Sequence, residues 1–180
     1  MSDIFDSVAT WIDRFTRYSG RIVAWLTLAV MGLTCAVVVM RYYLQTGSIA
    51  LQESVNYLHA SVFMLAIAYT LQRGGHVRVD IFYRKLSRVG QAWIDTLGGL
   101  LFLLPLCVVM FWLNWDYVIN SWTVKETSSE SSGLSWVYLL KTLMLIMPVT
   151  LLLQGVAETI KNILIIANQA ANNSSTDAQG

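Results

Sequence analysis

In this chain of 180 residues 56% are hydrophobic and only 13% charged, well below the soluble average of about a quarter charged, which excludes an ordinary soluble globular domain. The net charge of +1 carries little information by itself, because in an apolar chain the placement of the charges decides orientation. Unbroken apolar runs also exclude an outer-membrane barrel, whose strands alternate over segments of about ten residues.

The runs at 22–40, 54–71, 96–113 and 142–157 predict an all-α membrane protein with four transmembrane helices. At about 1.5 Å per residue the first covers about 28 Å, close to a hydrocarbon thickness of about 30 Å.

From the N-terminus, Ile4, Phe5, Val8, Trp11, Ile12, Phe15 and Tyr18 recur at helical spacing against Asp3, Asp6, Asp13, Arg14 and Arg17. This predicts an N-terminal amphipathic interfacial helix, and its acidic start does not fit a cleaved secretory signal. In the first span, Gly32 and Ala36 form a small-xxx-small pair, which either admits a neighbouring helix or is a chance product of apolar composition. Cys35 and Cys107 lie at mid-membrane depth with no His, Asp or Glu at ligand spacing, so they read as packing residues and not as a metal site.

Tyr42 and Tyr43 mark one interface, and a short loop leads to the second helix. Glu53 opens that helix, where a carboxylate suits the positive end of the helix dipole; it either reaches Arg41 or is simply a first-turn charge. His59 follows about two turns deeper, and His76 lies about 25 Å beyond it, too far for both to bind one haem iron. His59 is therefore expected to be a buried hydrogen-bonding residue.

The break Arg73-Gly-Gly-His-Val-Arg-Val-Asp80 separates the second and third spans. Gly74 and Gly75 suit a helix-ending turn, with positive φ expected at Gly75. Val79, Phe82, Leu86 and Val89, set against Arg78, Arg84, Lys85 and Arg88, predict a second interfacial helix whose basic face attracts anionic membrane lipids.

Helix three is expected from near Trp93 and Asp95, through Pro105, to the aromatic cluster of Trp112, Trp115, Asp116, Tyr117 and Trp122. Pro105 and Pro148 each remove a backbone hydrogen bond and predict kinks. A Ser-rich loop at 123–135 carries Lys125, Glu126 and Glu130. Lys141, inside helix four, needs a carboxylate, a route to the headgroups or a contact to a partner; Asp116, at matching depth, is the carboxylate candidate. Residues 1–169 read as a single transmembrane domain, and 170–180 as a polar tail with too little apolar content to fold.

Arg14, Arg17, Arg21, the five basic residues from Arg73 to Arg88, and Lys161 fall on one side, against Arg41 and Lys125 on the other. This bias predicts that both termini are cytoplasmic. No phosphate-cradling loop, clustered metal ligands or catalytic triad is present, so no enzyme activity, cofactor or nucleic-acid partner is expected. Mid-helix positions are apolar almost throughout, with Gln154 the main exception, which describes a scaffold that needs a partner.

Glu53-Ser-Val-Asn-Tyr57 followed by Tyr69-Thr-Leu-Gln-Arg-Gly-Gly-His-Val-Arg-Val-Asp80 resembles the small membrane subunit of tripartite ATP-independent periplasmic (TRAP) transporters. Gly75, His76, Val77, Arg78, Val79 and Asp80 fill that family's Gly-His-hydrophobic-Arg-hydrophobic-Asp signature. The chain departs from it at Gln52 and Asn56, where many members carry a second acid and an Arg. The resemblance implies a non-catalytic subunit of the bacterial inner membrane, joined to a large membrane subunit that holds the substrate and sodium sites. It also implies a periplasmic substrate-binding protein as partner, and organic acids such as sialic acids or C4-dicarboxylates as substrates. Glu53, Gly75, His76, Arg78, Asp80, Asp116 and Lys141 are then candidates for structural or partner-interface roles. The rival expectations are a free-standing four-helix exporter and a membrane-anchor subunit of a redox complex.

Overall fold

A computed structural model describes residues 2–75, 83 and 85–177. These form α1 (Ser2–Tyr42), α2 (Ile49–Gln72), α3 (Arg88–Gly98), a π-helical turn (Gly99–Leu103), α4 (Leu104–Thr123) and α5 (Val137–Asp177). With α3, the π turn and α4 running as one continuous rod, four helices are long and apolar enough to cross a membrane. Among the described residues there is no strand, in keeping with the all-α class.

The N-terminal amphipathic stretch and the first span form one uninterrupted helix of 41 residues. No proline breaks it, and at about 1.5 Å per residue it extends about 60 Å, twice the hydrocarbon thickness. Its inward face is Ala9, Ile12, Thr16 and Val23, spaced by three, four and seven residues, whereas Trp11, Phe15 and Tyr18 are exposed. The apolar stripe read from the sequence thus divides, with Ile12 packed on Ala157 of α5 and Trp11 stacked on Phe15 at the surface. Gly32 and Ala36 also face outward, with nothing within 4 Å of a Cβ placed on Gly32. Cys107 is buried, but Cys35 is exposed and packs no core.

Helix ends follow their local chemistry. Ser48 and Ser87 cap α2 and α3, each hydroxyl accepting a backbone N–H from three residues on, at 3.3 Å from Leu51 and 3.2 Å from Gly90. The Ser87 cap starts the third rod at Arg88, ahead of the expected Trp93. At the other end of α2, Gly74 takes φ +63° and donates to the Leu71 carbonyl at 3.0 Å, while Gly75 donates to Thr70 at 2.9 Å. This is a complete Schellman stop, and it moves the left-handed residue from the expected Gly75 to Gly74. Gly74→Val should therefore lower stability by about 1–2 kcal/mol, because a β-branched side chain resists positive φ. Gly75→Ala should cost less, its Cβ meeting the Thr70 Cγ2 at 3.1 Å and the Thr70 carbonyl at an ordinary 3.5 Å. Thermal unfolding of both variants in detergent checks the order.

Pro105 lacks the N–H that would bond one turn back, and the chain absorbs this with the π turn just before it, where Leu104 N–H reaches the Gly99 carbonyl. Pro148 stays within α5 and is fully buried.

The helix α5 organises the rest: α1 and α2 pack together on one side of it, α3 and α4 on the other. Beside Pro148 and Leu151, its buried residues are small or polar, Gln154, Gly155, Ala157 and Thr159, which lets neighbouring helices approach closely. The backbone of α5 remains helical through Asp177, past the boundary where a polar tail is expected.

Candidate functional site

One end of the bundle, the terminal end, carries the start of α1, the end of α2, the start of α3 and the end of α5, and the other carries the 43–48 and 124–136 loops. Each end holds a polar centre.

At the terminal end, Gln154 is completely buried and uses every hydrogen-bonding group of its amide. Its Oε1 accepts from Thr16 Oγ1 at 2.7 Å, and its Nε2 donates to Asp13 Oδ1 at 3.0 Å and to Glu158 Oε1 at 2.8 Å. The Lys161 amine bridges the same two acids, 2.7 Å from Asp13 Oδ2 and 2.9 Å from Glu158 Oε1. Gln72 of α2 joins by donating to the Asp13 carbonyl at 2.9 Å. Three helices, α1, α2 and α5, are thereby tied at one point in a network whose amide and amine donors are directed at acceptors of the same chain, so it binds helix to helix.

At the loop end, Glu53 holds the 124–136 loop with both carboxylate oxygens: Oε1 accepts from the Ser128 hydroxyl, and Oε2 accepts from Leu134 N–H at 2.6 Å. The loop closes on itself through Ser128 N–H to the Leu134 carbonyl at 3.0 Å. Gly133 is required there, since an added Cβ would run into Ser128 Oγ and lie 2.8 Å from Glu53 Oε1. Glu53 lies in the second turn of α2 and reaches this loop, which corrects the expectation of a contact with Arg41 or a first-turn charge.

Lys141 is the second tether. Its amine lies 2.5 Å from Glu126 Oε2 and 3.9 Å from the Tyr117 ring centre. The expected Asp116–Lys141 pair does not form, because residues one apart on a helix point about 100° apart, and it is Tyr117 that faces α5. Asp116 is exposed instead, beside Trp112 and Trp115 on a groove of about 500 Å³ between α4 and α5. The Lys125 amine covers Trp122 and Tyr138, at 4.6 and 5.0 Å, and Trp122 donates to Thr142 Oγ1 at 2.9 Å, so the loop start is fixed to both helices.

The Lys141 amine beside Glu126 holds that carboxyl below its ordinary value of 4.5. A depressed acid contributes stability above its unfolded value and loses it as pH falls through the folded one. The melting temperature should therefore stay level down to about pH 5 and fall below about pH 4.5, and Glu126→Gln should remove its part of that fall. A pH series of thermal melts on the two proteins checks it.

Among the sequence candidates, Glu53 and Lys141 meet at the loop clamp, Gly75 completes the α2 stop, and Asp116 stands apart. His76, Arg78 and Asp80 lie outside the described residues, as does most of the expected second interfacial helix; of its described part before Ser87, Tyr83 is helical and Lys85 and Leu86 form a turn. His59 is exposed and not buried, because it sits on the side of α2 turned away from α1 and α5. Sequence reading missed Asp13, Thr16, Gln72, Glu158 and Lys161 as a group. The available signal was Gln154, Glu158 and Lys161 at i, i+4 and i+7 on one helical face.

Among the described residues there is no cluster of three or more His, Cys, Asp or Glu that could hold a metal ion. The family described as tripartite ATP-independent periplasmic transporters, DctQ component, matches residues 30–164. No curated protein and no solved structure matches the chain significantly.

Proposed function

The chain belongs to the DctQ component family of the tripartite ATP-independent periplasmic transporters, and from that membership we propose that it is the non-catalytic small membrane subunit that scaffolds the large transport subunit. The substrate class is an organic acid, such as a sialic acid or a C4-dicarboxylate, moved by the large subunit with sodium and delivered by a periplasmic binding protein. The observation that carries the reading is that the fully buried Gln154, in the polar centre at the terminal end of the bundle, is committed to Thr16, Asp13 and Glu158 of the same chain. Polar groups engaged in this way hold helices together and leave no free ligands for a moving solute. The clamped 124–136 loop suits a preformed contact to the binding protein on the periplasmic side, since ordering it beforehand lowers the entropic cost of docking.

Reconstitution tests the proposal. Sodium-driven uptake should require this chain, the large subunit and the binding protein together. Transport by this chain alone would favour the exporter, full activity of the large subunit without it would remove the scaffold role, and a coloured preparation would favour the redox anchor. The basic-residue bias supports cytoplasmic termini. In a background lacking Cys35 and Cys107, a cysteine at Ser129 should react with an impermeant thiol reagent added outside, while one at Ser87 should not.

A further inference from the structure

The residues that α2 exposes are Ile49, Gln52, Asn56, His59 and Phe63. Their spacing of three, four, three and four residues forms the seam of a helix built to lie along another helix. Three of the five are polar, and His59 lies about 15 Å along the axis from Ile49, near the middle of a hydrocarbon layer of about 30 Å.

The hydroxyls of Ser54, Ser61 and Thr70 satisfy themselves by donating to the carbonyls of Ala50, Tyr57 and Ala66, whereas the Tyr57 hydroxyl is buried within the chain without a partner. Among the described residues, the side chains of Gln52, Asn56 and His59 have no such partner. Lipid tails offer neither donors nor acceptors, so a stripe of this kind is costly against lipid. The mid-span exposed faces of the other helices are more apolar, with Trp25, Leu28 and Met31 on α1 and Leu106, Val109 and Leu113 on α4, and the exposed Asp116 lies nearer the loop end.

We propose that the Gln52, Asn56, His59 and Phe63 face of α2 is the docking seam for a transmembrane helix of the large membrane subunit, which supplies hydrogen-bonding side chains opposite Asn56 and His59 and a recess for Phe63. The inference rests on the reading of the chain as one component of a multi-subunit transporter. A second copy of this chain fits the seam poorly. The seam has no Gly or Ala to admit a close approach, and parallel self-pairing would set the 71% exposed Phe63 against its own copy.

The test uses the complex in native membranes, with a photo-crosslinking amino acid placed at His59 or Phe63, and at Trp25 and Leu106 as controls. The expected result is crosslinking to the large subunit from positions 59 and 63 above the level of both controls. The combined Gln52→Leu, Asn56→Leu and His59→Leu variant should retain about tenfold less large subunit on purification. Its helix content and melting temperature as an isolated chain should be unchanged, because the three exposed side chains make no hydrogen bond or ion pair within the chain. Crosslinks from Trp25 or Leu106 alone, in a complex that purifies intact, would overturn the seam and leave the subunit reading standing. Crosslinks between two copies of this chain would overturn the choice of partner. If the unaltered chain captures no large membrane subunit, the functional reading fails and this inference fails with it.

Discussion

Gln154→Leu is expected to lower the stability of the isolated chain by about 2 kcal/mol, the cost of leaving buried polar groups short of partners. The residue is fully buried, so no solvent replaces what is lost. Three hydrogen bonds disappear together, those to Thr16, Asp13 and Glu158. Two effects limit the damage. Lys161 still bridges both acids, and the Thr16 hydroxyl can turn to a carbonyl one turn back, as Thr27 and Thr34 do in the same helix. Gln154→Glu should be more harmful at neutral pH despite its similar shape. It replaces two donors with a third carboxylate beside two others, and it should recover partly as the medium is acidified and the introduced carboxyl takes up a proton. Melting curves of both variants at two pH values test this. Equal stability of the Leu variant and the parent would mean that Gln154 does not help hold α1 to α5.

Glu53→Ala and Gly133→Val should each release the 124–136 loop while leaving the four spans in place. The first removes the acceptor for both Ser128 and Leu134, and the second drives a side chain into that acceptor. The Lys141–Glu126 pair and the Lys125 stacking remain in both variants, so the effect should be confined to the half of the loop beyond Glu126. Limited proteolysis after Glu130 should speed up by about tenfold in each, with little change in helix content, because cleavage follows the local opening equilibrium. Ser128→Ala should have a smaller effect, since the Leu134 amide still holds Glu53. Unchanged cleavage in Glu53→Ala would show that the loop is held by its other tethers alone.

The contrast between these two sites shows how much could be read in advance. Glu53 and Lys141 stand out in the sequence because a charge near an apolar run needs an explanation. Their partners do not, because Glu126 and Ser128 belong to a polar loop whose path depends on Gly133 and on the positive φ of Lys125. Asp116 matches Lys141 in depth along the axis but not in rotation about it. A difference of about 100° in direction separates a contact from none. At the other centre, Gln154 is conspicuous in the sequence, yet Asp13 lies so far away in the chain that only the packing of α1 on α5 brings it within 3.0 Å.

The sequence by itself determined the fold class, the number of spans, their approximate limits and the family. Each of these depends on long apolar runs, which in a bilayer must close their own backbone hydrogen bonds and so become helices. Tertiary structure alone decided which face of each helix turns inward. In water an apolar stripe marks the core, but against lipid tails Trp25 and Met31 can be exposed at little cost. Beside Ile12, Val23 and Leu151, the inward positions went to Ala9, Thr16, Gln154 and Ala157, which allow close approach and hydrogen bonding. Hydropathy does not distinguish that choice, because lipid and protein interior are nearly equivalent to an apolar side chain.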